Sequence, residues 1–272
     1  MKKILLLLIL FCLIISCEKE AIIENHKIVS FKKTNINTNS TTEYKYIYNL
    51  NGLLIEKQTP LTNELISYSN KGISSWISKF SQSTSKKEIF YYKNTRLDSI
   101  KINYTGALSG INLIKYFYEN SSDIRKVEYI DNTIVNIYEF NYDNLGYLEK
   151  LTIDRKYQST NLIYSYEYDK NGNIIKIYLN NRLKSEFEFL NIDNPFYEIS
   201  RPYLINIPYD PSFSETELIT SKKLISKAKY YTYDGKIESE IINDYKFNDE
   251  GLPISGNRIF KGQEENLLFE YK

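Results

Sequence analysis

Apolar and polar positions alternate in short runs from about Tyr46 to the end of the chain, and each run breaks at a cluster of turn-forming residues. Residues 164–177, Tyr-Ser-Tyr-Glu-Tyr-Asp-Lys-Asn-Gly-Asn-Ile-Ile-Lys-Ile, carry the whole pattern. Aromatic-x-aromatic is a period of two, which puts both rings on one face of a strand. Asp or Asn follows and can bond its own backbone, and Gly three residues later tolerates positive φ. This predicts a short hairpin loop built on a type I turn and closed by a left-handed residue, after which the apolar run returns as a second strand.

The aromatic residue before each turn marks the repeat: Tyr48, Tyr68, Tyr92, Tyr118, Tyr142, Tyr168, Phe189, Tyr233, Phe247 and Tyr271. Several neighbours lie 20 to 26 residues apart, with exceptions of 44 between Phe189 and Tyr233 and 14 between Tyr233 and Phe247. Ten such units predict about 18 to 20 strands in an all-β, antiparallel, up-and-down meander of β-hairpins. Gly and Asn recur too often for helices. One hairpin cannot bury its own face, whereas many side by side can. Sheets beyond about ten strands rarely stay flat, so this one is expected to curve strongly into an open barrel-like shell. Tyrosine ladders across strands would add about 0.2–1 kcal/mol per pair. The irregular stretch 191–228 contains Pro195, Pro202, Pro208 and Pro211. It reads as a long crossing loop with a short helix near 195–199, either a place for specific contacts or a plug over an apolar face.

The motif Tyr-x-Tyr-Asp-x-x-Gly-x-(Leu/Ile) resembles the YD repeats of Rhs-type proteins and, more closely, the YD-like repeats of Bacteroidetes lipoproteins of unknown function. The resemblance covers roughly residues 43–272, including Asn194-Pro195-Phe196 before the last hairpins. It implies a β-meander on a lipid anchor and implies no activity.

The N-terminus departs from this pattern. Met1-Lys2-Lys3 precedes an unbroken apolar run from Ile4 to Ile15, followed by Ser16-Cys17. Twelve helical residues reach roughly 18 Å, too short for about 30 Å of hydrocarbon, so 1–16 reads as a signal peptide. Ile14-Ile15-Ser16-Cys17 resembles the lipobox of bacterial lipoproteins. The resemblance implies cleavage before Cys17 and acylation of its sulfur and amino group, for example with palmitate, giving Cys17 a membrane-lipid partner. Two or three acyl chains, at about 0.8 kcal/mol per buried CH₂, anchor a domain stably. Glu18-Lys19-Glu20 is similar to the acidic tags of surface-exposed Bacteroidetes lipoproteins. The expected location is therefore the outer membrane, on the cell surface or on the periplasmic face. Residues 17–42 read as the lipidated N-terminus and a polar tether, with a first strand around Ile28–Phe31, and 43–272 as the repeat domain.

Charge and inventory narrow the chemistry. Removing the leader takes Lys2 and Lys3 from the 35 basic residues, leaving 33 against 34 acidic ones, a net of −1. Interspersed charge of that size argues against a nucleic-acid partner. His26, the only histidine, lies in the tether, so a His-based triad, a His-ligated metal site or a cofactor held by His is not expected in the domain. No catalytic residue or metal ligand is assigned. Asp169-x-Asn171-Gly172-Asn173 and Asn248-Asp249-Glu250-Gly251 resemble calcium loops faintly but lack the closing carboxylate, and hairpin turns explain them. Trp76 is a conceivable stacking residue for a sugar, though a core position suits it better. The leading expectation is a non-catalytic, anchored β-repeat domain that binds a protein or glycan. The alternative is a hydrolase acting through a carboxylate pair. An integral outer-membrane barrel is disfavoured, because Lys, Glu and Asn interrupt both faces of the strands.

Overall fold

A computed structural model describes residues 27–119, 123–197, 221–260 and 262–272. The first nine strands are β1 (Ile28–Asn35), β2 (Ser40–Tyr48), β3 (Leu54–Gln58), β4 (Asn63–Ser69), β5 (Gly72–Lys79), β6 (Ser85–Lys93), β7 (Arg96–Thr105), β8 (Leu113–Glu119) and β9 (Asp123–Asp131). The remainder are β10 (Thr133–Tyr142), β11 (Leu148–Arg155), β12 (Leu162–Tyr168), β13 (Ile174–Leu179), β14 (Arg182–Asp193), β15 (Lys223–Tyr231), β16 (Ile237–Phe247), β17 (Pro253–Phe260) and β18 (Gln263–Tyr271). Each pairs antiparallel with its neighbour in sequence, and β1 also pairs with β18. The sheet is therefore a closed 18-stranded barrel, where the sequence suggested an open shell. Closure leaves neither β1 nor β18 with unpaired edge groups. The residues flanking β1 and β18 meet across it, since Lys27 N–H donates to Lys272 O at 3.3 Å and Lys272 N–H to Lys27 O at 2.9 Å.

Up-and-down order gives the barrel two unlike ends. One, the terminal rim, carries the start of β1, the end of β18 and the turns that follow even-numbered strands; the distal rim carries the turns that follow odd-numbered strands. The Asx-x-x-Gly turns form as expected. Asn49, Asp143, Asp169 and Asn248 each accept the amide of the glycine three residues on. Their side-chain oxygens each accept two further amides at 2.8–3.1 Å. Gly172 has φ of +80°, and a Cβ there would lie 2.8 Å from the Tyr147 ring. All four turns sit on the terminal rim. The Thr232–Gly235 turn, which has the same backbone pattern, sits on the distal rim. Tyr233 thus lies in the turn before β16 and Phe247 is the last residue of that strand, at its opposite end, which explains their 14-residue spacing.

The marker tyrosines do more than pack. Six of them, Tyr48, Tyr68, Tyr92, Tyr118, Tyr142 and Tyr168, stand at β-bulges. Each donates its hydroxyl to the carbonyl of the first apolar residue in the preceding strand: Ile28, Leu54, Ile73, Leu97, Ile124 and Leu148, at 2.8–3.1 Å. Tyr271 does the same to Pro253 at 2.8 Å. This ring of latches along the terminal rim largely replaces the expected tyrosine ladders. The repeat unit is a hairpin, so its aromatics fall on alternate strands and face aliphatic residues. Tyr164 pairs with Leu151 and Leu179, and Tyr116 with Val127. Tyr129 and Tyr138, with centroids 4.7 Å apart, are an exception.

Two strand ends carry Phe where the others carry the latching Tyr, namely Phe189 in β14 and Phe247 in β16. They flank the excursion from Asn194 to Lys222, which is shorter than the expected loop because β14 and β15 extend into 191–228. Of that excursion, 198–220, and with it the last two residues of the expected short helix near 195–199, lie outside the described residues. Its start behaves as a plug: Phe196 packs edge-on to Phe31 at 5.2 Å and lies 5.9 Å from Phe269 inside the terminal end. Strands also take up residues 28–35 and 40–42 of the stretch that the sequence read as a tether with a first strand around Ile28–Phe31. Lys32, Glu43 and Lys45 of β1 and β2 pair on the outer face, while Phe31, Tyr44 and Tyr46 join the interior. Cys17 and the leader lie outside the described residues.

Candidate functional site

Strand alternation sorts the residues into two walls. The outer wall carries charge paired across strands, including Lys32–Glu43 at 3.3 Å, Lys176–Glu167 at 3.5 Å and Lys227–Glu240 at 3.0 Å. The inner wall carries the core: Ile66, Trp76, Phe90, Ile100, Tyr116, Leu151, Ile177 and Phe269 are all buried. This is the reverse of a lipid-facing barrel, whose outer band is apolar and where a Lys or Arg at the bilayer midplane costs about 2–4 kcal/mol.

Toward the distal rim the inner wall turns polar. β4, β5 and β6 bring Glu64, Trp76, Ser78, Lys86 and Glu88 onto one inward face, and Trp76 pairs with both Ile66 and Glu88. They line a cavity of about 370 Å³, with Tyr129 of β9 and Ile114 of β8 on its far side. That volume is at the small end of ligand pockets. Glu88 is only 6% exposed and Trp76 2%. Lys86 Nζ stands 3.3 Å from Glu88 Oε1. Burial raises the Glu88 carboxyl above its ordinary value, Lys86 opposes the shift, and the Glu64 carboxylate adds to it. Glu64 Oε1 accepts a long hydrogen bond from Thr62 Oγ1 at 3.4 Å.

A second buried polar group faces inward from the other side of the closure. Arg258 on β17 is in register with Asn243 and Glu265. Arg258 Nε is 3.9 Å from Glu265 Oε2, and Lys33 Nζ is 3.8 Å from Glu265 Oε1. Asn243 Nδ2 donates to Ile225 O at 2.9 Å.

The sequence-level assignments fare differently. Trp76 is a core position, as the residue itself suggested, and its ring also forms a cavity wall. Asp169 and Asn248 are turn residues. Desolvation would raise the Asp169 carboxyl, but hydrogen bonds from Asn173, Asn171 and Gly172 hold it below the usual range. Among the described residues no three His, Cys, Asp or Glu side chains are grouped to hold a metal ion. Alternation of Glu and Lys along the strands suggests a solvated face, but Glu64, Glu88 and Glu265 point into the barrel. A signal was available, since Glu88 lies two residues before Phe90 and four before Tyr92, on the face that period-2 patterning assigns to the core.

No protein-family model matches the chain, and no curated protein matches it. Among solved structures it is similar to a porin-like protein from Bacteroides uniformis ATCC 8492, at 10% identity over 90% of this chain and 98% of that one, with a TM-score of 0.46. A porin-like protein from Bacteroides vulgatus ATCC 8482 follows at 14% identity, 91% and 99% coverage and a TM-score of 0.36. A TcdB2-TccC3 structure without its hypervariable C-terminal region matches at 11% identity and a TM-score of 0.36, over 90% of this chain and 16% of that one. At these values the likeness bears on neither activity nor partners.

Proposed function

We propose that this chain is an envelope lipoprotein, anchored in the outer membrane through acylated Cys17, whose barrel is a non-catalytic binding domain. The observation that carries the reading is the sidedness of the barrel. A charged, cross-paired outer wall suits an aqueous compartment, and the inner wall opens at the distal rim into a cavity where aromatic and ionic side chains converge. Ten residues from Cys17 to Lys27 span at most about 35 Å, which keeps the terminal rim near the bilayer and turns the cavity away from it. A sugar-sized ligand fits the cavity, and a protein partner would meet the exposed distal turns, where Tyr157 and Tyr233 project. The acidic tag at 18–20 supports the cell surface over the periplasmic face.

The test has two arms. Replacing Cys17 by Ala should release the chain from the membrane fraction and abolish labelling by radioactive palmitate; retained labelling removes the anchor. A glycan array probed with the full chain in detergent should return ligands that Trp76→Phe weakens, and an array with none argues against the binding domain. The hydrolase reading keeps one specific observation in its favour, namely two carboxylates, Glu64 and Glu88, on one cavity. Turnover of any arrayed glycan, lost in Glu88→Gln, would replace the binding reading with it.

A further inference from the structure

Resting on the anchored reading above, we infer that the β2–β3 turn is a second membrane contact, its leucines lying in the bilayer interface beside the acylated N-terminus. In the turn Asn49-Leu50-Asn51-Gly52-Leu53, Leu50 is fully exposed and Leu53 is 41% exposed, and Ile47 adds a 40% exposed side chain near the end of β2. Turn chemistry does not require leucine here. The other three Asx turns of the terminal rim carry Asn144, Lys170 and Asp249 where this one carries Leu50. Single exposed apolar side chains are common, and Leu61, Leu145 and Tyr157 stand open elsewhere on the two rims. What singles out Leu50 is the tether. Lys27, just before β1, donates its Nζ to Gly52 O and lies 5.3 Å from the Tyr48 ring centroid, so the tether enters directly against this turn. Ten residues separate Lys27 from Cys17, a reach of at most about 35 Å. The acyl chains therefore hold the turn at the lipid surface, where a contact too weak to bind a free protein becomes populated. The turn also suits a water-poor layer. The amides of Asn51, Gly52 and Leu53 already donate to oxygens of Asn49 at 2.9–3.0 Å, so entry leaves none of the three without an acceptor.

The experiment reconstitutes the mature lipidated chain in phosphatidylethanolamine–phosphatidylglycerol vesicles. A fluorophore is placed on Asn51→Cys in this turn or on Ser159→Cys in the distal turn between β11 and β12. Cys17 is acylated in that chain, so the introduced thiol alone takes the label. Bromine on the lipid acyl chains should lower emission from position 51 by about half and leave position 159 unchanged. Adding Leu50→Asp should restore emission at 51 without altering the unfolding transition, because Leu50 is fully exposed. Leu61→Asp on the distal rim should not restore it. Equal quenching at the two positions, or none at 51, overturns the contact. A blue shift at 51 that grows with protein density but shows no quenching gives the turn to a second copy and overturns the lipid assignment. Radioactive palmitate in the same preparations keeps the two readings apart. A labelled chain that is unquenched at 51 loses this contact and keeps the anchor, whereas an unlabelled chain loses both.

Discussion

The two ends of the barrel are built from the same hairpins and use them in opposite ways. At the terminal rim the interior is mostly apolar and the latching hydroxyls are matched, although Ser30 Oγ and Tyr245 OH are buried with no hydrogen-bond partner among the described residues. Phe31, Phe196 and Phe269 pack together, and tyrosine hydroxyls occupy backbone carbonyls that bulges leave open to them. At the distal rim Glu64, Lys86, Glu88, Arg258 and Glu265 face inward, in longer and less complete contacts. Asn243 Oδ1 is buried there with no hydrogen-bond partner among the described residues. The lesson is that stability and recognition are separated along the barrel axis. One end holds the cylinder shut, and the other keeps charge in a place that folding alone would avoid.

Alkaline titration should break the terminal end most completely. Burial raises the Tyr142 hydroxyl to about 12 and raises the Tyr48, Tyr68, Tyr92 and Tyr118 hydroxyls as well. The fold thus favours the protonated phenols, whereas unfolded tyrosines ionise near 10. Stability is complete below pH 10 and should fall as pH rises through about 12. Phenolate absorbance should appear together with loss of the β-sheet circular dichroism; smooth titration with the sheet intact would contradict the latches. Next in size, Phe269→Ala should cost about 3–5 kcal/mol in denaturant unfolding, because it empties the centre of the terminal core.

Gly172→Ala should cost more than about 1 kcal/mol, since positive φ and the Tyr147 ring both oppose a Cβ. Ala at Gly235, which has the same φ but open space around it on the distal rim, should cost less. Tyr142→Phe removes a single latch and should cost about 1 kcal/mol by the same measurement. The smallest effect should have the opposite sign. Glu88→Gln keeps the shape and removes a carboxylate whose charged form burial disfavours, so the melting temperature at pH 7 should hold or rise slightly. A clear drop would mean that the Lys86 pair supports the fold.

Much of the terminal rim was legible before any coordinates. Asp169 followed by Gly172 predicts its turn because the chemistry is local: one side-chain oxygen accepts amides two and four residues away. The latches were not legible. The Tyr142 hydroxyl bonds a carbonyl 18 residues back, and only the β-bulge at that point aims it there. The cavity was half legible. Period-2 patterning places Glu88 on the inner face, but its meeting with Glu64 and Tyr129 depends on how the strands curve around the axis.

The sequence by itself determined the strands, their turns, their number and their antiparallel order, because each follows from side-chain chemistry within a few residues. Tertiary structure alone decided that β1 meets β18, that the start of the 194–222 excursion enters the barrel, and which polar residues share its distal end. These depend on the summed twist and register of 18 strands, a quantity that no single hairpin contains.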